Sequence, residues 1–432
     1  MNWFTSLFRA KPAPTPASAA PSADAPPALE HGLLRRRPIY DRHWRVVAYA
    51  VSLRRLPHAG ETLSHSQLDM EILLYEIERL VALRQFTSRI WLDLEWTSLP
   101  LLAELIDTPH TRLTAVMHGA FPADGVNVSA SLARLKQHGV ALGASADGWQ
   151  ALKPEVLRGM QLITLGMSSP DLASLSQQIR QCRNLAPGAE LWLNGVDSHE
   201  AAEAGLQLGA NYISGRIFTN PAETQAQLPS EFIRLNHVLS LVRNGADFGE
   251  IAEGLKSDPV LSVRLLRYVN SAALGLPNPV HGLEQALAVL GQEKVYRWLS
   301  LLLFSRGNPQ PLDDTLLEAA LTRARLMELC GSGPQPSARG EQLYLTGLFS
   351  LLDYLLRVPR RLLLQELCAP AEVIDTLAGK ATSLSPFLQL AEAGESDGDV
   401  PDDLLAACGL TQAEFGRHQM DATLWVLSAL AE

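Results

Sequence analysis

Seven arginines, Arg35, Arg36, Arg37, Arg42, Arg45, Arg54 and Arg55, crowd one short segment near the start of the chain. Guanidinium groups bind an oxyanion where they converge, whereas along a sheet edge they are simply solvated; the solvated edge is the expectation here. Carboxylates promise less. Asp313 and Asp314 are neighbours, which on a helix turns them about 100° apart, so they read as a helix start rather than a metal pair. No histidine is followed by aspartate, and His281, ahead of Leu283-Glu284, stands where a capping serine would and reads as a structural cap variant. Cys182, Cys330, Cys368 and Cys408 form no C-x-x-C pair, which argues against a zinc site or a disulfide framework and leaves buried free thiols. No metal and no other cofactor is expected.

The elements that would position these groups fall into two halves. Residues 1–30 are a tail, almost wholly Ala, Pro and Ser from residue 10 to 28, and read as a flexible linker. Ahead of it, Trp3, Phe4, Leu7 and Phe8 are a docking peptide, a weak amphipathic anchor or a frayed terminus, the last being favoured. Residues 31–225 alternate short β-like runs with helical ones: Val46–Leu53, Ile90–Leu94, Leu113–Met117, Val140–Ala144, Gln161–Leu165, Leu191–Leu193 and Tyr212–Ser214, with helices such as Leu68–Leu83 and Pro170–Leu185 between them. Seven strands predict a trimmed or incomplete TIM-like (β/α) barrel, because an eight-fold one usually needs ~250 residues. Trp91, Trp96, Trp149 and Trp192 are core candidates, with exposure an alternative for Trp149. Residues 226–432 read as helices throughout, a compact all-α bundle. The fold class is therefore multidomain, α/β followed by all-α.

In the second half one stretch is distinctive. Asp258 is a good N-cap followed by Pro259 at the first helical position, and Leu261, Leu265, Leu266 and Val269 make an apolar face. Asn270 and Ser271 lead into a turn rich in Gly and Pro, where they are expected to satisfy freed backbone groups, and Gly291 ends the next helix. This series, Asp258, Pro259, Leu261, Leu265, Leu266, Arg267, Asn270, Ser271 and Ala272, with Ala286, Leu290 and Gly291, resembles the HDOD family, an all-helical, HD-like signalling module. Its relatives with metals carry a histidine near Gly347-Leu348-Phe349, where this chain continues Ser350-Leu351-Leu352-Asp353.

Arg37-Pro38-Ile39-Tyr40-Asp41, Tyr49 and Arg54, Gly139 and Gly148, Gly195-Val196-Asp197-Ser198, and Gly209 through Gly215 to Pro221 are similar in order and spacing to the EAL family, barrel phosphodiesterases acting on cyclic di-GMP. That resemblance implies carboxylates and an amide at strand ends holding divalent metals. At those positions this chain has Ala50 for a glutamate, Asp93 for an asparagine, Val116 for a glutamate, Ser145 and Ala146 for two aspartates, Thr164 for a lysine with Gly166 for the aspartate beside it, Asn194 for a glutamate and Ser214 for a glutamine. Catalysis is not expected. Arg54, with Arg37, is the retained candidate for ligand binding.

At 432 residues, 47% of them hydrophobic and 19% charged, the chain can hold two packed cores. A net charge of −10 argues against a nucleic-acid binder. No apolar run reaches membrane-spanning or signal-peptide length, so a soluble, cytoplasmic protein is expected, not an integral membrane one. The implied function is a non-catalytic bacterial signal-transduction or scaffold protein whose partners are other signalling proteins. The alternative is a sensor that binds cyclic di-GMP without hydrolysing it, with loss of that binding favoured over its retention.

Overall fold

The computed structural model describes residues 32–55, 89–122, 125–145, 149–167, 172–196, 198–215, 227–271, 274, 276, 278–304, 313–331, 337–395 and 400–430. The expected tail, the Trp3 to Phe8 cluster, the Leu68–Leu83 helix and Ala146 lie outside them, as do the side chains of Arg35, Arg36, Arg54 and Arg55. The described elements form two compact units, one holding the strands and one the helices from Ser230 to Cys408.

The strands are β1 (Gly32–Asp41), β2 (Val46–Arg55), β3 (Arg89–Glu95), β4 (Leu113–His118), β5 (Ala141–Ala144), β6 (Leu162–Gly166), β7 (Glu190–Val196) and β8 (Tyr212–Gly215). They close into a barrel in sequence order. The expectation of an incomplete barrel is corrected here: the segment around Arg37-Pro38-Ile39-Tyr40-Asp41, read as preceding the first strand, is itself a strand. β1 pairs antiparallel with β2 on one side and β8 on the other, whereas β2 to β8 are parallel. An antiparallel neighbour needs only a tight turn where a parallel one needs a crossover helix, so the barrel closes with fewer residues than eight strand–helix units require.

That turn is built by Asp41. Its carboxylate accepts from the amides of His43 at 2.8 Å and Arg45 at 3.0 Å and from the Arg45 guanidinium, and Trp44 adopts φ 61° to complete the reversal. Burial pushes the Asp41 carboxyl upward, but these hydrogen bonds and the Arg45 charge outweigh it and hold the group below its ordinary range. Arg42 and Arg45 are exposed at this turn, as expected of a solvated edge.

Between the strands lie α1 (Leu99–Leu105), α2 (Gly125–Gln137), α3 (Pro154–Leu157), α4 (Leu172–Leu185) and α5 (His199–Leu208). Trp96 and Trp149 sit in short 3-10 turns after β3 and β5 and are each 1% exposed, so the exposed alternative for Trp149 does not hold. Cys182, on α4, is fully buried, and burial pushes its thiol up to about 12.

After the strands come α6 (Ser230–Arg243), α7 (Phe248–Lys256), α8 (Pro259–Val269), α9 (Leu283–Leu290), α10 (Gln292–Leu302), α11 (Asp313–Gly331), α12 (Ala338–Phe349), α13 (Leu352–Leu356), α14 (Arg360–Glu366), α15 (Ala371–Leu377), α16 (Ser385–Glu395), α17 (Asp402–Cys408) and α18 (Gln412–Leu430). Asp258 caps α8 as its spacing predicts, accepting from the amides of Val260 at 3.0 Å and Leu261 at 3.2 Å. Asn270 clamps the following turn: its amide nitrogen donates to the carbonyls of Leu266 and Val280, and its oxygen accepts from the Val280 amide at 2.7 Å. Ser271 shows no such contact, its hydroxyl being buried without a partner among the described residues. Arg267 is exposed, and Gly291, at φ 77°, ends α9 and caps α10. The cap of α9 is Gly282 rather than His281, which is exposed one residue earlier.

The apolar, helix-forming run from Glu341 to Leu356 breaks at Ser350 into α12 and α13. Gly347 explains how closely α12 approaches α11: a Cβ there would lie 2.6 Å from the Ala324 Cα, closer than atoms can pack. Of the four cysteines, Cys182 and Cys330 are buried, while Cys368 and Cys408 are half-buried, which corrects the expectation that all are buried.

Candidate functional site

Side chains alternate between the two faces of a strand, and the barrel interior is marked by the packed set Ile39, Ala48, Ala50, Trp91, Val116, Leu162 and Trp192. Trp91 meets Trp192 edge to face at 5.1 Å and the partly buried Tyr212 at 5.2 Å, so these rings form a floor to the barrel interior. Counting two residues along each strand from this floor reaches the candidate positions. Arg37 follows from Ile39, Asp93 from Trp91, Thr164 from Leu162, Asn194 from Trp192 and Ser214 from Tyr212. The structure thus brings Arg37, Ala50, Asp93, Val116, Thr164, Asn194 and Ser214 onto one interior surface. Ser145 lies just past the end of β5 and is half-buried.

Three of these residues are joined by hydrogen bonds. The Trp192 indole donates to the Ser214 hydroxyl at 2.9 Å, the Ser214 hydroxyl donates to Asn194 Oδ1 at 2.9 Å, and Arg37 Nη1 donates to the same oxygen at 3.1 Å. The directions are fixed by chemistry. An indole N–H only donates, so Ser214 must send its own proton onward, and the Asn194 group that receives it must be the carbonyl. Ser214 is fully buried and Thr164 is 3% exposed, its hydroxyl without a partner among the described residues. Gly215 then ends β8 at φ 143°, where a Cβ would stand 2.0 Å from the Val196 carbonyl oxygen; only glycine lets the two strand ends approach so closely.

Arg37 is the residue whose role the arginine-rich composition obscured. By composition the seven arginines read as a solvated edge, and only the resemblance set Arg37 apart, with Arg54, as a ligand-binding candidate; Arg37 is half-buried and turned into the barrel. Its spacing of two from Ile39 was the available signal, legible only once β1 is known to be a strand.

The polar groups of the helical unit are arranged differently. Arg323, 6% exposed, donates through Nε to Glu395 at 2.8 Å and through Nη1 to the Ser350 hydroxyl at 2.7 Å, with Glu392 at 3.6 Å. Asp353 is held by Arg360 at 2.9 Å and Asp313 by Arg357 at 3.2 Å. Arg297 lies over the Tyr344 ring at 3.5 Å and reaches Glu328 at 3.1 Å and Glu341 at 3.2 Å. Burial raises both carboxyls, but Arg297 and Arg325 together bring Glu328 below its ordinary range. At Glu341 burial wins and the group stays raised. Asp313 and Asp353 are therefore anchored to arginines, and among the described residues no cluster of His, Cys, Asp and Glu is arranged to hold a metal.

Comparison with known proteins agrees with this division. Residues 226–356 match the HDOD domain family. The chain is 28% identical over 225 residues to the uncharacterized protein YuxH of Bacillus subtilis, covering 50% of this chain and 53% of that protein. It is 27% identical over 200 residues to the cyclic di-GMP phosphodiesterase CdgJ of Vibrio cholerae, covering 46% of this chain and 45% of that one. The chain thus spans about half the length of the curated relatives it matches. Among solved structures, the Bacillus subtilis YkuI protein, with an EAL domain, in complex with cyclic di-GMP and calcium aligns at TM-score 0.36 and 14% identity, covering 53% of this chain and 74% of that one. Klebsiella pneumoniae BlrP1, in its calcium and cyclic di-GMP complex, aligns at TM-score 0.37 and 15% identity, covering 46% and 57%. The architecture is a closed eight-stranded barrel followed by helices of which residues 226–356 match the HDOD domain family. No helix among the described residues is long and apolar enough to cross a membrane.

Proposed function

We propose that this chain is a non-catalytic signalling scaffold, a barrel over residues 31–225 and a helical domain over 226–432 that act by contact with other signalling proteins. One observation carries the reading: Asn194 Oδ1 accepts from both Arg37 and Ser214, so a carbonyl suited to a cation is occupied by protein donors, one of them a permanent positive charge. A hard cation such as Mg²⁺ needs several oxygen ligands in near-octahedral array. The surface around Asn194 offers instead the side chains of Ala50, Val116, Thr164 and Ser214, with Asp93 as its carboxylate, and these do not suit such an ion. No hydrolytic step is therefore assigned. In the helical domain, ion pairing of Asp313 and Asp353 with arginines supports the same conclusion. Purified protein incubated with cyclic di-GMP and Mg²⁺ or Mn²⁺ is expected to release no linear dinucleotide, and turnover above that of a buffer control would overturn the reading.

The sensor alternative draws on one feature, the Arg37 guanidinium inside the barrel, since such a group suits a phosphate oxygen. Calorimetry with cyclic di-GMP decides it: saturable heat at micromolar ligand favours the sensor, and none favours the scaffold.

A further inference from the structure

We propose that Trp44 and His199 form a latch across the seam where β1 meets β8, a strap that limits how often the barrel opens there. The inference concerns the barrel wall and goes beyond the scaffold reading, on which it does not depend. On one side β1 runs beside β2 from Gly32 opposite Arg55 to Tyr40 opposite Val46. On the other, only Tyr40 opposite Ile213 and Asp41 opposite Tyr212 join it to β8. Two pairs supply few backbone hydrogen bonds, so a side-chain contact beside them weighs heavily in the stability of that edge.

Trp44 stands in the turn just beyond those pairs. Its φ of 61° lies in the left-handed region, which costs a bulky residue energy and which glycine or asparagine enters more readily. Such a backbone persists where its surroundings over-determine it. Here the turn is fixed on one side by Asp41, which accepts from the amides of His43 and Arg45. On the other side is a stack: the Trp44 and His199 rings lie 4.5 Å apart, centroid to centroid, with their planes at 24°.

His199 is fixed in its turn. It is the first residue of α5, whose cap Ser198 accepts from the Ala201 amide through its hydroxyl at 3.2 Å. Nε2 of the imidazole lies 3.3 Å from Glu203 Oε1, one helical turn on, while Nδ1 is buried with no partner among the described residues. The ring is therefore held by Glu203 at one edge and by the indole on its face. α5 presses on β7, since a Cβ at Gly205 would stand 2.4 Å from Leu193 Cδ2, and it lies against β8 as well. The stack thus joins the turn that follows β1 to the helix that covers β7 and β8, and the seam lies between them.

Hydrogen exchange of the full chain, read by mass spectrometry over the peptides of the seam and of β3 and β4, tests the latch. W44A and H199A are each expected to speed exchange at Tyr40, Asp41, Tyr212 and Ile213 by up to about tenfold, with β3 and β4 keeping their rates. W44A/H199A is expected to be no faster than the quicker single variant, because both changes remove one contact. H199F, which keeps a ring for the indole to stack on, is expected to exchange as slowly as the unaltered chain. The proposal is overturned if either single variant leaves the seam rates unchanged, if the two effects multiply in the double variant, if β3 and β4 speed up equally, or if H199F is as fast as H199A. Circular dichroism confirms the folded state. Should W44A lose it, W44N, whose short polar side chain tolerates the left-handed region, takes its place under the same criteria. The scaffold reading stands on turnover, so the two fail independently.

Discussion

The barrel and the helical domain each hold an arginine at an inward-facing polar centre, and the partners differ. Arg323 meets carboxylates, Glu395 through its forked edge and Glu392 at 3.6 Å, with Ser350 on the remaining side. Arg37 meets a neutral amide whose orientation is locked by serine and tryptophan. In the first case charges cancel and the group ties α11, α12 and α16 together, a structural outcome. In the second the described contact is to a neutral acceptor, and it orients the guanidinium inside the barrel. Two similar side chains thus serve different ends because of their partners.

That contrast can be broken experimentally, beginning where the effect is largest. Replacing Glu392 and Glu395 together by alanine strands the Arg323 charge in the bundle and is expected to cost ~3–5 kcal/mol, measured by chemical denaturation. Asn194→Ala removes two hydrogen bonds, one from the half-buried Arg37 and one from Ser214, and is expected to cost about 1.5–3 kcal/mol. Equal losses in the two would erase the distinction. Asp258→Ala, removing a cap remote from either centre, is expected to cost ~1 kcal/mol and sets the scale of an ordinary local contact.

The smallest effect is one of pH. Glu328, lowered in the folded state, contributes stability that is complete above the unfolded value of about 4.3 and is lost as pH falls through the folded one. Glu328→Gln should therefore flatten the acid limb of the stability profile. Glu341, whose carboxyl is raised, has the opposite sign: its ionisation opposes folding as pH rises from the unfolded value through the folded one. Glu341→Gln should accordingly relieve a loss of stability over that range. Identical profiles for the two variants would show that Arg297 does not discriminate between its acids.

The sequence made much of this legible where a local rule was sufficient. Seven strands followed from apolar runs of the right length, and the cap of α8 from Asp258 and Pro259. The clamp at Asn270 followed from a polar residue entering a turn that needs backbone partners. It was less informative where tertiary partners decide. Nothing local in Leu33-Leu34-Arg35-Arg36-Arg37 distinguishes a barrel strand from a solvated edge, because pairing with both β2 and β8 makes it a strand. Likewise Glu341–Leu356 is rich in helix formers on both sides of Gly347, and the break at Ser350 is fixed by contacts from Arg323 and Arg360. The shared interior surface of Asp93, Val116, Thr164, Asn194 and Ser214 needed only the two-residue period. Which of them touch required the structure.

The closure of the barrel has a kinetic corollary. β1 is fastened to β2 along a hairpin running from Gly32 opposite Arg55 to Tyr40 opposite Val46, but to β8 at only Tyr40 with Ile213 and Asp41 with Tyr212. The hairpin closes a short loop, whereas the seam joins the two ends of the barrel sequence and bears the larger entropy of loop closure. Amides at the seam should exchange with solvent earlier than those of β3 and β4, through an opening short of global unfolding. Because Arg37 is carried on the same strand, each such opening would also draw the guanidinium away from Asn194, coupling the slow breathing of the barrel to the charge inside it.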